Sequence, residues 1–562
     1  MIENQQNRIR DEFFEKEKRT IGQLIAMIEQ GDSASCAHHF FFYLTNSSWK
    51  IHFKTLLKLL KTSYPTSDVI IRKNILEFLT FLSIGLKSFL SHIHLHATIG
   101  QQEIDAAFED AIGLLLELEA LDLDAAKTLC EEIIVTNTKQ FVAEGVSLHT
   151  AESEAAIIVG NRPSQYCRRL LKKIHSSNFY AYSLAQFNKP ERTILGNDYG
   201  EFLQYSMWLG YSFQTTNPPL IKMVWDMDTQ FWRSSLLETI EAEFGSKNLE
   251  HSPINLEKAC SLATLIVVEK SCRLLRDWFL FSEGKEGYVC YQVNPEKNGD
   301  AQAMIAEALF VYAMLEKRLG GIPNVSFKLP GTHAGLQAAQ VLGLKGISLT
   351  ITLNFTTFQA MEFAKVFKSS KALTSYIVVM NGRLSFPVRD ELQTQDAEID
   401  PKSSWLAGVE VTRHIYRKLY ASAENGGLAL DSGKIKLLNA SLRIYGNDIP
   451  DISEIWGTGL ITIFPNVRRA YDLQKRSDNA FSIIDKTPNA AFDDLCKSEL
   501  FRQAWWIPGD PEKCKPNRAL SLSTEDEEAV LEWTPIKDTL KQFIQEYNNL
   551  KIMVSDVLAS RI

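Results

Sequence analysis

Asn324-Val-Ser-Phe-Lys-Leu-Pro330 is a short apolar run with a lysine inside it. Read as a β-strand, it puts Val325, Phe327 and Leu329 on one face and Ser326 and Lys328 on the other. The next run, Gly346–Phe355, repeats the pattern: Ile347, Leu349, Ile351, Leu353 and Phe355 point one way, Ser348, Thr350, Thr352 and Asn354 the other. Six further runs have the same texture: Thr193–Gly196, Tyr211–Thr216, Gly287–Val293, Ser375–Met380, Ile435–Ala440 and Gly459–Phe464. Each of the eight is followed by a stretch that can be helical. Repeated βα units argue for a parallel sheet, and eight of them for a closed (β/α)8 TIM barrel, with a doubly wound open sheet as the alternative. In a barrel the apolar rows face the helices. Lys328 then points inward near the C-terminal end of its strand, where barrel enzymes keep their chemistry.

A lysine in that position is costly. Desolvation disfavours the ammonium and lowers its pKa, which is the condition for a nucleophilic amine that forms a Schiff base. The competing reading is an inward lysine paired with a carboxylate as a structural ion pair. Asn217 ends the second run just before Pro218-Pro219, so it is either a turn-initiating Asn-Pro or an amide presented to a ligand. Gln292 shares a face with Cys290 and Asn294 and reads as an interior amide. Ser441 and Arg443 follow the seventh run and Arg383 the sixth. Two guanidinium forks and a hydroxyl at strand C-termini would make a phosphate clamp, although arginines at loop starts are also common.

The rest of the 562-residue chain frames this core. The first third is poor in Gly and Pro, and Ile104, Phe108, Ile112 and Leu115 make one apolar helical stripe. Asn188-Lys189-Pro190 marks the first boundary, giving a helical N-terminal domain over 1–187, a barrel over 188–475 and a helical C-terminal extension over 476–562 that packs on the barrel. Thr524 with Glu527 three places on reads as a capping box opening a final helix. Lys+Arg is 60 against Asp+Glu 68, a net charge of −8, which argues against a general nucleic-acid binder. Met1 to Arg19 has no apolar core, so no secretory signal is read there, and Phe78–Leu90 is too short for a membrane span and contains Lys87. The eight cysteines lack metal-ligand spacing and read as reduced thiols of a cytoplasmic protein.

Taken together, the segments resemble the transaldolase family of Schiff-base aldolases. The matching pieces are Thr215-Thr-Asn-Pro-Pro219, Asn324–Thr332 with Gly335-Leu336, Gly346-Ile347 running into Thr352–Phe355, Asn381-Gly-Arg383, Gly408–Arg413 with Ile415-Tyr416, Ala440–Arg443 and Leu460–Pro465. They fall in the family's order over roughly half the chain. The helical first third has no counterpart in that pattern.

The resemblance implies that Lys328 forms the Schiff base, Asn217 helps hold the substrate, Thr352 stands near the catalytic water, and Arg383, Ser441 and Arg443 bind phosphate. Other positions depart from the family's pattern. Gln292 replaces the strand-three glutamate, as in the fructose-6-phosphate aldolase branch, and an amide is no general base. Thr350 replaces an asparagine and Val378 a serine. Asp198, the only carboxylate near the strand-one position, lies closer to Asn217 than the family's spacing.

The activity implied is transfer of a three-carbon dihydroxyacetone unit between phosphorylated sugars in the pentose phosphate pathway, without metal or organic cofactor. The alternatives are a fructose-6-phosphate-aldolase-like lyase and a non-catalytic sugar-phosphate-binding protein whose helical domain docks a partner. Phosphorylated sugars are the expected partners, with no nucleic acid and no membrane, and with self-association left open.

Four weaker signals are set aside. His92, His94 and His96 alternate but lack acidic or thiol ligands at metal spacing. His38 and His39 are adjacent and cannot share a helix face. Gly427 to Lys434 is one residue too long for a phosphate loop, and Ile435 stands where Ser or Thr is required. Trp505-Trp506 reads as a packing anchor.

Overall fold

A computed structural model describes residues 2–245, 255–395, 398–475 and 479–559. Eight strands, β1 (Ile194–Asn197), β2 (Tyr211–Gln214), β3 (Val289–Gln292), β4 (Val325–Pro330), β5 (Leu349–Thr352), β6 (Ser375–Met380), β7 (Ile435–Ala440) and β8 (Leu460–Ile463), close into a barrel in sequence order. Every pairing is parallel, and β1 closes on β8 through Ile194↔Leu460 to Asn197↔Ile463, which excludes the open sheet. All eight expected runs become strands, and β6 and β7 keep the bounds read from sequence. Each strand is buried along its whole length, as a sheet covered on one face by helices and filled on the other by its own side chains must be. The register sets Gln292, Lys328 and Thr350 abreast on β3, β4 and β5.

Twelve α-helices precede β1 among the described residues, the last ending at Gln186. The apolar stripe lies on helix Gln101–Leu121, where Ile104, Ile112 and Leu115 are buried. These helices and the barrel share one continuous core. Phe42 and Phe89 both pack on Trp278 of the barrel helix Leu256–Phe281. Beside it Asp277 accepts the Tyr43 hydroxyl at 2.5 Å and Lys16 Nζ at 3.0 Å, and faces His38 Nδ1 at 3.4 Å. Burial alone would raise this carboxyl, but Lys16, His38 and Tyr43 together hold it well below the usual range. At the other end of the barrel Arg468, behind β8, makes a buried pair with Glu144 at 2.7 Å. His92 and His96, on short helices and not on a strand, stack at 3.8 Å.

Two expectations for the C-terminal extension need correction. The Thr524–Glu527 capping box does not form. Thr524–Asp526 is a 3-10 turn, and the short helix Glu527–Glu532 has no side-chain cap because the Asp526 carboxylate takes Ser521 and Arg518 instead. The long final helix begins at Thr534 and runs to Ala559. Nor are all eight cysteines free: Cys496 and Cys514 form a disulfide, with Cα atoms 5.2 Å apart, and the other six are buried thiols. That pairing is a tertiary contact between a helix end and a 3-10 turn, so residue spacing gives no sign of it. Trp505 does anchor the extension, donating to Glu410 Oε1 at 3.3 Å and stacking on His414. No helix among the described residues is long and apolar enough to cross a membrane.

Candidate active site

Lys328 sits on the inner face of β4, 4 % exposed, and its Nζ donates to the Thr216 carbonyl at 3.1 Å. Beneath it Ser326 and Thr350 share a hydrogen bond of 2.8 Å, and Cys290 Sγ lies 3.4 Å from the Thr350 hydroxyl. That layer is buried and carries no formal charge, and no carboxylate pairs directly with Lys328 among the described residues. Burial therefore lowers its pKa, with Arg383 adding to the effect and Asp198 and Cys290 opposing it.

Asp198 follows β1 immediately. The β1–β2 register is irregular between Leu195 and Gly196, which pair with Tyr211 and Phe213. The shift lets Thr215 N–H reach the Asn197 carbonyl and the Thr215 hydroxyl donate to Asp198 Oδ1 at 2.6 Å. Burial pushes the Asp198 carboxyl up, while Thr215, Lys328, Arg443 and Arg383 pull it down.

Two loops complete the mouth. Arg383 begins the helix after β6, and the preceding Gly382 donates its N–H to the Ser441 carbonyl at 3.0 Å. A Cβ on Gly382 would collide with Arg443 and with that carbonyl, so a glycine is required. Ser441 has φ of 59°, unusual for a serine, and its buried hydroxyl has no partner among the described residues. Asn217 caps the helix after β2, accepting Leu220 N–H at 3.0 Å through its side-chain oxygen. Its two readings therefore coexist: it initiates the turn and still faces the cavity.

One cavity of about 450 Å³ is lined by Asp198, Asn217, Lys328, Thr352, Arg383, Ser441 and Arg443. Seven of the eight residues singled out in the sequence thus meet in one space, with Val378 in its wall where the family has serine. Gln292 is the exception. It lines a separate space of about 10 Å³ with Lys328, Thr352 and Leu540. Arg383 and Arg443 outweigh Asp198, so the large cavity is net positive and suited to an anionic ligand. Burial, and after it the like charge of Arg443, lower Arg383 to about 10, which leaves it protonated at neutral pH.

Sequence reading did not pick out Asp451. It is fully buried, and its Oδ2 accepts the Arg443 backbone N–H at 2.9 Å and faces the Tyr445 hydroxyl at 3.4 Å. Burial pushes its carboxyl up to about 7, against the pull of Arg443, Asn381 and Tyr445. A carboxyl raised in the folded state contributes stability that is whole below its ordinary value of 3.8 and is lost as pH rises through about 7. Asp451→Asn keeps the shape without the titration. Its urea midpoint is expected to fall less than that of the wild type between about pH 5 and pH 8. Equal falls would contradict the assignment.

Fold and site thus define a (β/α)8 barrel with a desolvated lysine, a carboxylate and two arginines lining one cavity at the C-terminal mouth. The model of the transaldolase/fructose-6-phosphate aldolase family matches residues 201–503, more than half of the chain, and the chain belongs to that family. The match begins just after Asp198 and ends before the final helix. A Transaldolase of Neisseria meningitidis serogroup C is 38 % identical over 79 residues, 14 % of this chain and 21 % of its own length. The Transaldolase of Frankia alni is 23 % identical over 237 residues, 39 % of this chain and 62 % of its own. Transaldolase 1 of Streptomyces avermitilis is 34 % identical over 104 residues, 18 % of this chain and 26 % of its own. The chain therefore spans between about a fifth and three fifths of the length of these curated relatives.

Proposed function

We propose that this protein is a transaldolase, moving a dihydroxyacetone unit between phosphorylated sugars through a Schiff base on Lys328, as a cytoplasmic step of the pentose phosphate pathway. The observation that carries the reading is the single cavity that joins a desolvated lysine, Asp198 and two arginines. Barrel residues 188–475 do the chemistry, and 476–562 pack on the barrel.

Neutral Lys328 attacks the ketose carbonyl and loses water to give an iminium, which is an electron sink. Asp198 takes the C4 hydroxyl proton as the C3–C4 bond breaks, help worth about 10²–10⁴-fold. The electron pair is left on the three-carbon fragment as an enamine, and the aldose phosphate departs. Arg383, Arg443 and the free Ser441 hydroxyl hold the phosphate, and Asn217 the sugar. An incoming aldehyde then takes the enamine's electron pair, and water releases the product from Lys328. Gln292 cannot serve as a base, so water is activated weakly beside the enamine. Glutamine also stands at this place in the fructose-6-phosphate aldolase branch, so the acceptor dependence measured below decides between transfer and lyase-type release. The retained buried Lys328, with Asp198 lining the same cavity, favours an enzyme over a protein that only binds sugar phosphates.

The test is turnover of fructose 6-phosphate with and without an aldose phosphate acceptor, read as glyceraldehyde 3-phosphate released. Strong dependence on the acceptor is expected. Equal release without acceptor, with free dihydroxyacetone, would make the protein a lyase. Binding without turnover would make it a binding protein.

A further inference from the structure

The final helix, Thr534–Ala559, lies across the barrel mouth, between the helices after β2 and β6 and against the turn after β3. Two contacts fix it on the clamp: Arg383 Nη2 donates to Gln542 Oε1 at 2.6 Å, and the Arg383 guanidinium lies 5.6 Å from the Phe543 ring centre. Two residues before Gln542, Leu540 completes the wall of the small cavity behind Lys328. That cavity, about 10 Å³, has room for about one water. Gln292, 9 % exposed, lines it and has a side-chain oxygen with no partner among the described residues. The sugar-sized cavity lies on the other side of Lys328 and Thr352, which line both.

We propose that Leu540 is a specificity-determining residue that keeps the enamine for transfer by sealing this cavity against further water. The inference rests on the Schiff-base reading above. Both fates of the fragment need one water at the iminium carbon, where it adds, the C–N bond breaks with its electron pair returning to the lysine nitrogen, and the carbonyl product leaves. Release of free dihydroxyacetone needs one event more: the enamine carbon must first take a proton, which restores the iminium. In transfer that carbon gives its electron pair to the acceptor aldehyde, whose oxygen takes the proton held by Asp198. A one-water cavity supplies the hydrolytic water. On that side of the enamine there is then no chain of waters to relay a proton from solvent, and the Gln292 amide is no acid at neutral pH. Removing three carbons from Leu540 opens space for roughly two more waters.

The experiment compares full-length wild type, Leu540→Ala and Leu540→Val with fructose 6-phosphate and an aldose phosphate acceptor, and measures free dihydroxyacetone against transferred product. Borohydride trapping with peptide mapping is run on each. The release-to-transfer ratio is expected to rise on the order of tenfold in Leu540→Ala. Leu540→Val, a smaller change to a half-buried side chain, is expected to give an intermediate rise and carries the test should the alanine variant not fold. Variants that are trapped on Lys328 and still transfer with an unchanged ratio would overturn the inference alone. A wild type with no Lys328 adduct would overturn the Schiff-base reading, and the inference with it.

Discussion

Lys328→Met is expected to lower turnover of fructose 6-phosphate by about 10⁴-fold or more, because covalent catalysis has no substitute for its nucleophile. The same variant is expected to fold, with a thermal midpoint equal to or above that of the wild type. The lysine makes a single hydrogen bond, to the Thr216 carbonyl, and sits over a layer made of Ser326, Thr350 and Cys290. Methionine fills the same stem volume without a charge to desolvate. Initial rates and thermal unfolding check both halves. Activity within about tenfold of wild type would remove Lys328 from the chemistry. Lost activity with a much lower midpoint would make it a structural ion pair.

Glu144→Ala is expected to destabilise the protein by about 3–5 kcal/mol, the usual cost of leaving one partner of a buried pair uncompensated. Arg468 is 1 % exposed, and besides Glu144 it donates to the Ser206 hydroxyl at 3.1 Å. Glu144 also receives Gln140 at 3.0 Å and Arg469 at 3.3 Å. The double variant Glu144→Leu/Arg468→Met is expected to lose less than the single one, since no buried charge is then stranded. Urea unfolding decides. A loss under about 1 kcal/mol for Glu144→Ala would place the pair among surface-like bridges. Asn466 and Val467, just before Arg468, line the large cavity. The N-terminal helices thereby brace a wall of the site without contributing a reacting group.

The barrel was legible because parallel strands buried on both faces read as apolar runs, and because period-two alternation assigns each side chain a face. The inward aim of Lys328, Thr350 and Thr352 followed from that alternation alone. Asp198 was harder. Its place depends on the β1–β2 irregularity that brings Thr215 beside it, and no residue pattern announces a register shift. Leu540, Gln542 and Asp451 escaped for a related reason. Each enters the site through tertiary packing, the first two from a helix more than 150 residues beyond the arginine it touches. The capping box failed locally: Thr524 opens a 3-10 turn, and the N-cap position falls to Asp526, whose carboxylate is held by Ser521 and Arg518. Gln292 was placed correctly on its strand, yet only the packing shows that it faces a different space from the other seven residues.

The central claim is covalent chemistry at Lys328, and borohydride reduction in the presence of fructose 6-phosphate tests it most directly, read by intact mass and peptide mapping. The account predicts a stable three-carbon or sugar-phosphate adduct on the peptide containing Lys328, absent from Lys328→Met. A folded wild-type protein that binds the sugar phosphate and yields no adduct, or an adduct on another lysine, would contradict it.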